Sequence, residues 1–249
     1  LLVTISLGIT VKDYFYTYNR QPETAYWFEA AARDLAEAVN SEPEDKDVLL
    51  DRRFYDNWPS IPFLIGPEQS IIYYRPGELS EGDFGPGTVF YAWPYERLDL
   101  IAGAVESPAL VQGQTGSLAQ GDLDPEPYPL FVRYSIDAYQ DLPITAYFDN
   151  NILLHEATVS TLDSDTLQVD LYWSVNTNEG RQLVSYVHVL GPAGLIGQSD
   201  SVPSQGNWPS QWWRTGLVIH DQHIIKLDEK LEKMQPQIRV GLYNAYTQD

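Results

Sequence analysis

The tightest constraint in this sequence is a strict alternation. Leu167, Val169, Leu171 and Trp173 interleave with Gln168, Asp170 and Tyr172. Successive strand side chains point to opposite faces, so the pattern gives one apolar face and one polar-edged face. A helix would scatter the same residues around its circumference. The segment therefore reads as a half-buried strand, and the segments C-terminal to it read as further strands. Leu183 to Leu190 comes after an Asn-Glu-Gly turn at Asn178–Gly180, and Gly191-Pro192-Ala193-Gly194 reverses the chain into Leu195–Ser201. Leu217–Leu227 and Gln237–Tyr243 complete the series, with Ile238, Val240 and Leu242 on one face. Short strands divided by Gly/Pro turns mean a sandwich or barrel, and the reading taken for residues 128–249 is an antiparallel β-sandwich of jelly-roll or immunoglobulin-like type.

The first half has a different rhythm. Phe28, Ala31, Ala32, Leu35 and Val39 recur at helical spacing, predicting a helix over Thr24–Asn40 with Pro22 before it and Thr24 as its cap. Asp47–Asp51, Ser70–Tyr74 and Thr88–Ala92 read as short buried strands, and Arg97–Val105 as a short helix or another strand. Residues 1–125 are thus expected to be a small α/β layer unit, which makes the whole chain α+β. Gly113, Gly116, Gly121, Pro125, Pro127 and Pro129 punctuate a stretch poor in large apolar groups, and a linker is expected near 106–127. Leu1–Thr10 is apolar but too short to span a bilayer alone. It is either a buried first element or the last turns of a membrane helix that begins before Leu1.

The formal net charge of −20 argues against nucleic acid as a partner, since phosphate backbones would be repelled. With no cysteine, disulfides, thiolate metal sites and a cysteine nucleophile are excluded. Asn-x-Ser/Thr acceptors are also absent. No Gly-x-Ser-x-Gly elbow or phosphate-cradling glycine loop is present. Asp163-Ser164-Asp165 and Asp122-Leu123-Asp124 have the spacing of divalent-metal carboxylates, but each sits where turn chemistry favours Asp and Ser. His220 and His223 point to opposite faces of a strand and cannot share a metal, and His188 reads as a hydrogen-bonded structural residue. No catalytic residue, metal site or cofactor is assigned.

The seven tryptophans are the better lead. Trp208, Trp212 and Trp213 cluster within ten residues, and Trp58 and Trp93 each precede a proline. Flat rings on loops bind sugar faces by covering their C–H surface. Trp208, Trp212, Trp58 and Trp93 are the candidate ligand-binding residues, with Trp213 expected to turn inward as a core plug. The competing reading makes the rings lids on a core.

Leu167–Trp173, Tyr186-Val187-His188-Val189-Leu190, Gly194, Gln198-Ser199-Asp200, Trp208-Pro209-Ser210, Trp213-Arg214-Thr215-Gly216, Asp221 and Val240-Gly241-Leu242-Tyr243 occur in series. Together they resemble a sandwich domain at the C-terminal end of bacterial polytopic glycosyltransferases of the dolichyl-phosphate-mannose protein mannosyltransferase type, which have the GT-C fold. Val11-Lys12-Asp13-Tyr14-Phe15 and the helix after it are similar to the segment after the last membrane helix of such proteins. The resemblance implies an extracytoplasmic, non-catalytic part of a bacterial membrane protein, with a membrane-embedded portion N-terminal to Leu1 and a glycan or protein acceptor as partner. The family's catalytic acids lie in loops outside this chain, so none is carried over. The alternative is a free-standing cell-surface or envelope module, structural or carbohydrate-binding.

Overall fold

A computed structural model describes residues 9–13, 17, 21, 23–24, 30–94, 96–139, 142–228 and 236–247. It is mostly β, with few helices and large sheets. The first half contributes α1 (Ala31–Asn40), β1 (Asp47–Asp51), α2 (Arg52–Asn57), α3 (Ile61–Leu64), β2 (Ile71–Tyr74), β3 (Thr88–Ala92), α4 (Leu98–Ala104) and β4 (Ala109–Thr115). Then come β5 (Leu118–Ala119), β6 (Tyr128–Pro129), β7 (Val132–Asp137), β8 (Ala146–Phe148), β9 (Ile152–Asp163) and β10 (Thr166–Val175). The series closes with β11 (Leu183–Gly191), β12 (Gly194–Ser201), β13 (Leu217–Lys226) and β14 (Gln237–Asn244). Among the described residues no helix is long and apolar enough to cross a membrane. The reading of Leu1–Thr10 lies almost wholly outside the described residues.

The chain forms two compact units that interleave in sequence. One takes residues 1–75, 90–96 and 115–133, and the other takes 76–89, 97–114 and 134–249. This corrects the expected single boundary near residue 125. It also corrects the linker at 106–127, because that stretch contains a paired strand: β4 runs parallel to β13, from Ala109↔Leu217 to Gln112↔His220. Gly113, read as linker punctuation, is there for close approach. A Cβ at that position would meet Asn207 Cβ at 2.8 Å and the Tyr134 ring at 3.2 Å.

In the first unit β1 lies between β2 and β3, and β1 and β2 are parallel, with Val48↔Ile71 through Asp51↔Tyr74. Val48, Leu49 and Leu50 are fully buried, as a strand covered on both faces requires. Helix α1 buries Ala31, Ala32, Leu35, Ala36 and Val39 on one stripe. Its N-cap position is Ala30, which makes no side-chain cap. Thr24 has helical backbone, so it is not the expected cap. Past the end of α1, buried Glu42 accepts from Arg133 Nε at 2.5 Å and Nη2 at 2.8 Å, and from the Tyr91 hydroxyl at 2.6 Å. Burial opposes its charge, but these bonds win and hold the Glu42 carboxyl below its ordinary value.

In the second unit the strand order is β7-β4-β13-β10-β9-β8, with β13, β10, β9 and β8 antiparallel in succession. A three-stranded antiparallel sheet runs β12-β11-β14. The alternation in β10 does what the sequence requires: Leu167, Val169, Leu171 and Trp173 are all buried. The two sheets meet where Ser185 of β11 and Ser199 of β12 bond the His223 ring of β13 at 3.1 and 2.9 Å. Gly197 of β12 permits the approach, since a Cβ there would lie 2.7 Å from Leu227. Helix α4 resolves the open choice at Arg97–Val105, and Arg214 fastens its end by donating to the carbonyls of Ala102 and Val105.

The Glu179–Arg181 ion pair helps to hold the segment entering β11. Glu179 is buried and accepts from Arg181 Nε and Nη2, each at 2.9 Å. Asn151 adds a bond at 3.1 Å. The Arg181 bonds pull the Glu179 carboxyl down to about 2. A carboxyl more acidic folded than unfolded adds stability above its unfolded pKa, near 4.5, that fades as the pH falls toward 2. Glu179→Gln should therefore cost about 1.5–3 kcal/mol at neutral pH and much less near pH 2, measured by urea unfolding across that range.

Candidate functional site

Sequence places a charged triplet, Asp51-Arg52-Arg53, directly after the apolar run of β1. The strand ends there because Asp51 caps α2, its side chain accepting from the Arg53 backbone N–H at 3.0 Å. Strands β1 and β2 are parallel, so their carboxyl ends coincide, and ligands of open α/β sheets bind at that edge. Trp93 follows the end of β3, its N–H 3.5 Å from Asp51 Oδ2.

The Arg53 guanidinium clasps the buried Asp51 carboxylate with Nε at 3.0 Å and Nη2 at 2.7 Å, and its Nη1 bonds Glu96. The Asp51 bond is the main reason the Arg53 pKa is raised, so this cation stays charged. Above it stand aromatic rings. Phe54 is fully buried and packs on Trp93 at 5.2 Å and on Trp58 at 6.4 Å. Trp58 and Trp93 are half-buried and stacked, centroids 5.8 Å apart with planes 24° apart. Arg53 Cζ sits 5.7 Å from the Trp93 centroid. A ring slotted between two others needs about 7 Å, so a ligand meets the outer faces of this pair rather than a gap. Nearby, Arg52 lies 4.6 Å over Tyr55 and 5.7 Å over Tyr73. Asp56 is shared by Arg52 at 3.1 Å and Arg75 at 3.8 Å.

Both Asp51 oxygens are taken by arginine, so the group is no general base as it stands. The arrangement presents a rigid aromatic wall, a neutralised cation and exposed guanidinium edges, which is binding chemistry. Two of the four candidate tryptophans are thus brought together. Asp51, Arg53 and Glu96 were missed, although the charged triplet closing an apolar strand could have marked them.

The other two tryptophans are placed differently. Trp208 is fully buried, which corrects its assignment as an exposed platform. The segment before it is a tight turn and no open loop: Ser204, Gln205 and Gly206 all have left-handed φ, and Ser204 N–H donates to buried Asp221 at 2.9 Å. That turn drives Trp208 inward against Tyr134 at 5.5 Å. Trp212 is half-buried on a short 3-10 turn, edge-on to Trp208 at 5.6 Å. Trp213 is 1% exposed and stacks on Trp173 at 6.5 Å, the inward plug that was expected.

Two other constellations centre on β13. Ser185, His223 and Asp221 have the composition of a hydrolytic triad, but Ser185 Oγ and Asp221 Oδ2 both contact His223 Nε2 at 3.1 Å, and all three are buried. A triad needs the acid on one ring nitrogen and the nucleophile on the other. On the opposite face of β13, His220 bonds Asp170 at 2.8 Å and stacks on Tyr172 at 4.7 Å. Asp163 accepts from the Asp165 N–H at 3.0 Å, a turn bond, and no metal-sized group of acids and histidines occurs among the described residues. His188 lies 3.7 Å from Asp200.

Buried Trp208 and Trp213 should each cost about 3–5 kcal/mol when cut to alanine, and half-exposed Trp212 clearly less, by urea unfolding. Phenylalanine separates the buried pair. The Trp213 indole N–H donates to the Trp208 carbonyl at 3.3 Å, whereas that of Trp208 has no acceptor among the described residues. Trp213→Phe should be the costlier change, by about 1 kcal/mol.

No family model, curated protein or solved structure matches this chain.

Proposed function

We propose that this chain is the extracytoplasmic, non-catalytic C-terminal part of a bacterial membrane glycosyltransferase-like protein, and that it holds an acceptor glycan against the Trp58–Trp93 wall. The observation that carries the binding role is the meeting of two half-exposed indoles with a charge-paired Arg53 at the carboxyl end of parallel strands. Such a wall covers the C–H face of a sugar, while Glu96 and the exposed edges of Arg52 and Arg75 meet its hydroxyls. On this reading the antiparallel strands from β8 onward are a two-sheet sandwich of jelly-roll or immunoglobulin-like type. Support comes from the buried alternation of β10 and from the β12-β11-β14 sheet laid on β13.

Glycan binding followed by tryptophan fluorescence tests the role. Trp58→Ala and Trp93→Ala should each weaken binding about tenfold or more while the fold survives. Undiminished glycan binding by both variants would remove the corner from the reading. Binding of acceptor peptides but not glycans, lost in the same variants, would make the partner a protein. A run of membrane spans encoded before Leu1 supports the transferase assignment, and a signal peptide alone supports the free-standing module.

A further inference from the structure

The second unit contains a cleft of about 610 Å³, well within the range of small-molecule sites. Phe148 and Ile152, flanking the β8–β9 turn, line it together with Leu183 at the start of β11 and Leu242 of β14. Asp149 and Arg181, whose side chains are exposed, stand on its rim. From these residues we infer that the cleft is a binding site for a neutral saccharide, independent of the Trp58–Trp93 corner.

Charge decides the ligand class. Among the described residues Arg181 is the cation lining the cleft, and all three of its nitrogens already serve carboxylates. Nε and Nη2 serve the buried Glu179 carboxylate, and Nη1 serves Asp149 at 2.5 Å. One guanidinium between two carboxylates leaves the rim net negative, which disfavours phosphate, sulfate or carboxylate ligands. What the rim offers instead is planar hydrogen-bonding edges in fixed positions. The Phe148–Asn151 turn is closed by an Asn151 N–H bond to the Phe148 carbonyl at 3.2 Å, with left-handed φ at Asp149 and Asn150. Asn151 bonds both Glu179 and the Thr177 N–H, at 3.1 and 2.9 Å, so the turn and the ion pair lock each other. A rim fixed before binding loses little entropy when a polyol docks.

Next to this lining in sequence is an aromatic residue. Tyr246 falls between Asn244 and Thr247, both of which line the cleft, and it is 81% exposed. It is nevertheless held at both ends: its hydroxyl donates to Gln182 Oε1 at 2.8 Å and its N–H to Asn244 Oδ1 at 2.9 Å. A pinned ring with wet faces next to planar polar groups suits the alternating C–H and O–H surface of a pyranose.

The test uses the full chain carrying Trp58→Ala and Trp93→Ala, which disables the other corner. Cellobiose, maltose and mannobiose are titrated by calorimetry and ligand-observed NMR, with digalacturonate and octyl sulfate as anionic and alkyl controls. At least one neutral disaccharide should bind below about 10 mM. Tyr246→Ala should weaken it about fivefold or more, and Tyr246→Phe, which keeps the ring but loses its tether to Gln182, should weaken it by a smaller factor. No binding by any neutral disaccharide, tighter binding of either control, or an unchanged affinity in Tyr246→Ala would each overturn the inference. Because the tryptophan corner is already disabled, none of these outcomes bears on the proposed acceptor site.

Discussion

The carboxylate of Asp221 is fully buried, and much of the second unit is arranged around keeping it charged. It receives the Ser204 N–H at 2.9 Å, the Trp173 indole N–H at 3.3 Å and the His223 ring at 3.1 Å. Those three bonds come from the turn before Trp208, from β10 and from β13 itself. His223 then passes the connection to β11 and β12 through Ser185 and Ser199. Burial pushes the Asp221 carboxyl up, but the donors outweigh it and the group stays more acidic than usual. Removing one member would strand a buried polar atom, so the network fixes a single packing of the two sheets rather than merely adding contact energy.

The same device recurs at three arginines. Arg133 is spent on Glu42, Arg53 on Asp51 and Arg181 on Glu179, each by two guanidinium nitrogens on one carboxylate. In a chain with 35 acidic and 15 basic side chains, such pairing is easily satisfied. It orders the surrounding aromatic and polar groups without leaving a strongly attractive site for anions. Bidentate pairing is rigid, so the groups beside it, Trp93 near Arg53 and the turn near Arg181, are held in place before any ligand arrives. This is the physical basis for reading both sites as places where neutral, hydroxyl-rich surface would settle.

Sequence by itself determined the strands whose burial is one-sided or complete. The β10 alternation and the runs of β1, β3, β11 and β13 follow from side-chain periodicity alone, because a strand can hide an apolar set only on one face or on both. It also marked Trp58 and Trp93 as ligand candidates through their loop positions. Only the tertiary structure decided the rest. Strand β7, as Val132-Arg133-Tyr134-Ser135-Ile136-Asp137, buries four of its six residues with no clean period. Strand β9 leaves Ala157–Asp163 exposed on both faces, and neither pattern announces a strand. Strand β4 was hidden by Gly113, whose missing side chain reads as a linker until Asn207 and Tyr134 are seen against it. Trp208 looked exposed because Gly, Asn, Pro and Ser surround it, yet a turn tied to Asp221 seventeen positions on buries it. The meeting of Trp58 with Trp93, 35 residues apart, depended on β1 and β3 lying side by side. Periodicity is a local property, whereas register, close approach and shared carboxylates are contacts between distant segments, and those exist only once the chain has folded.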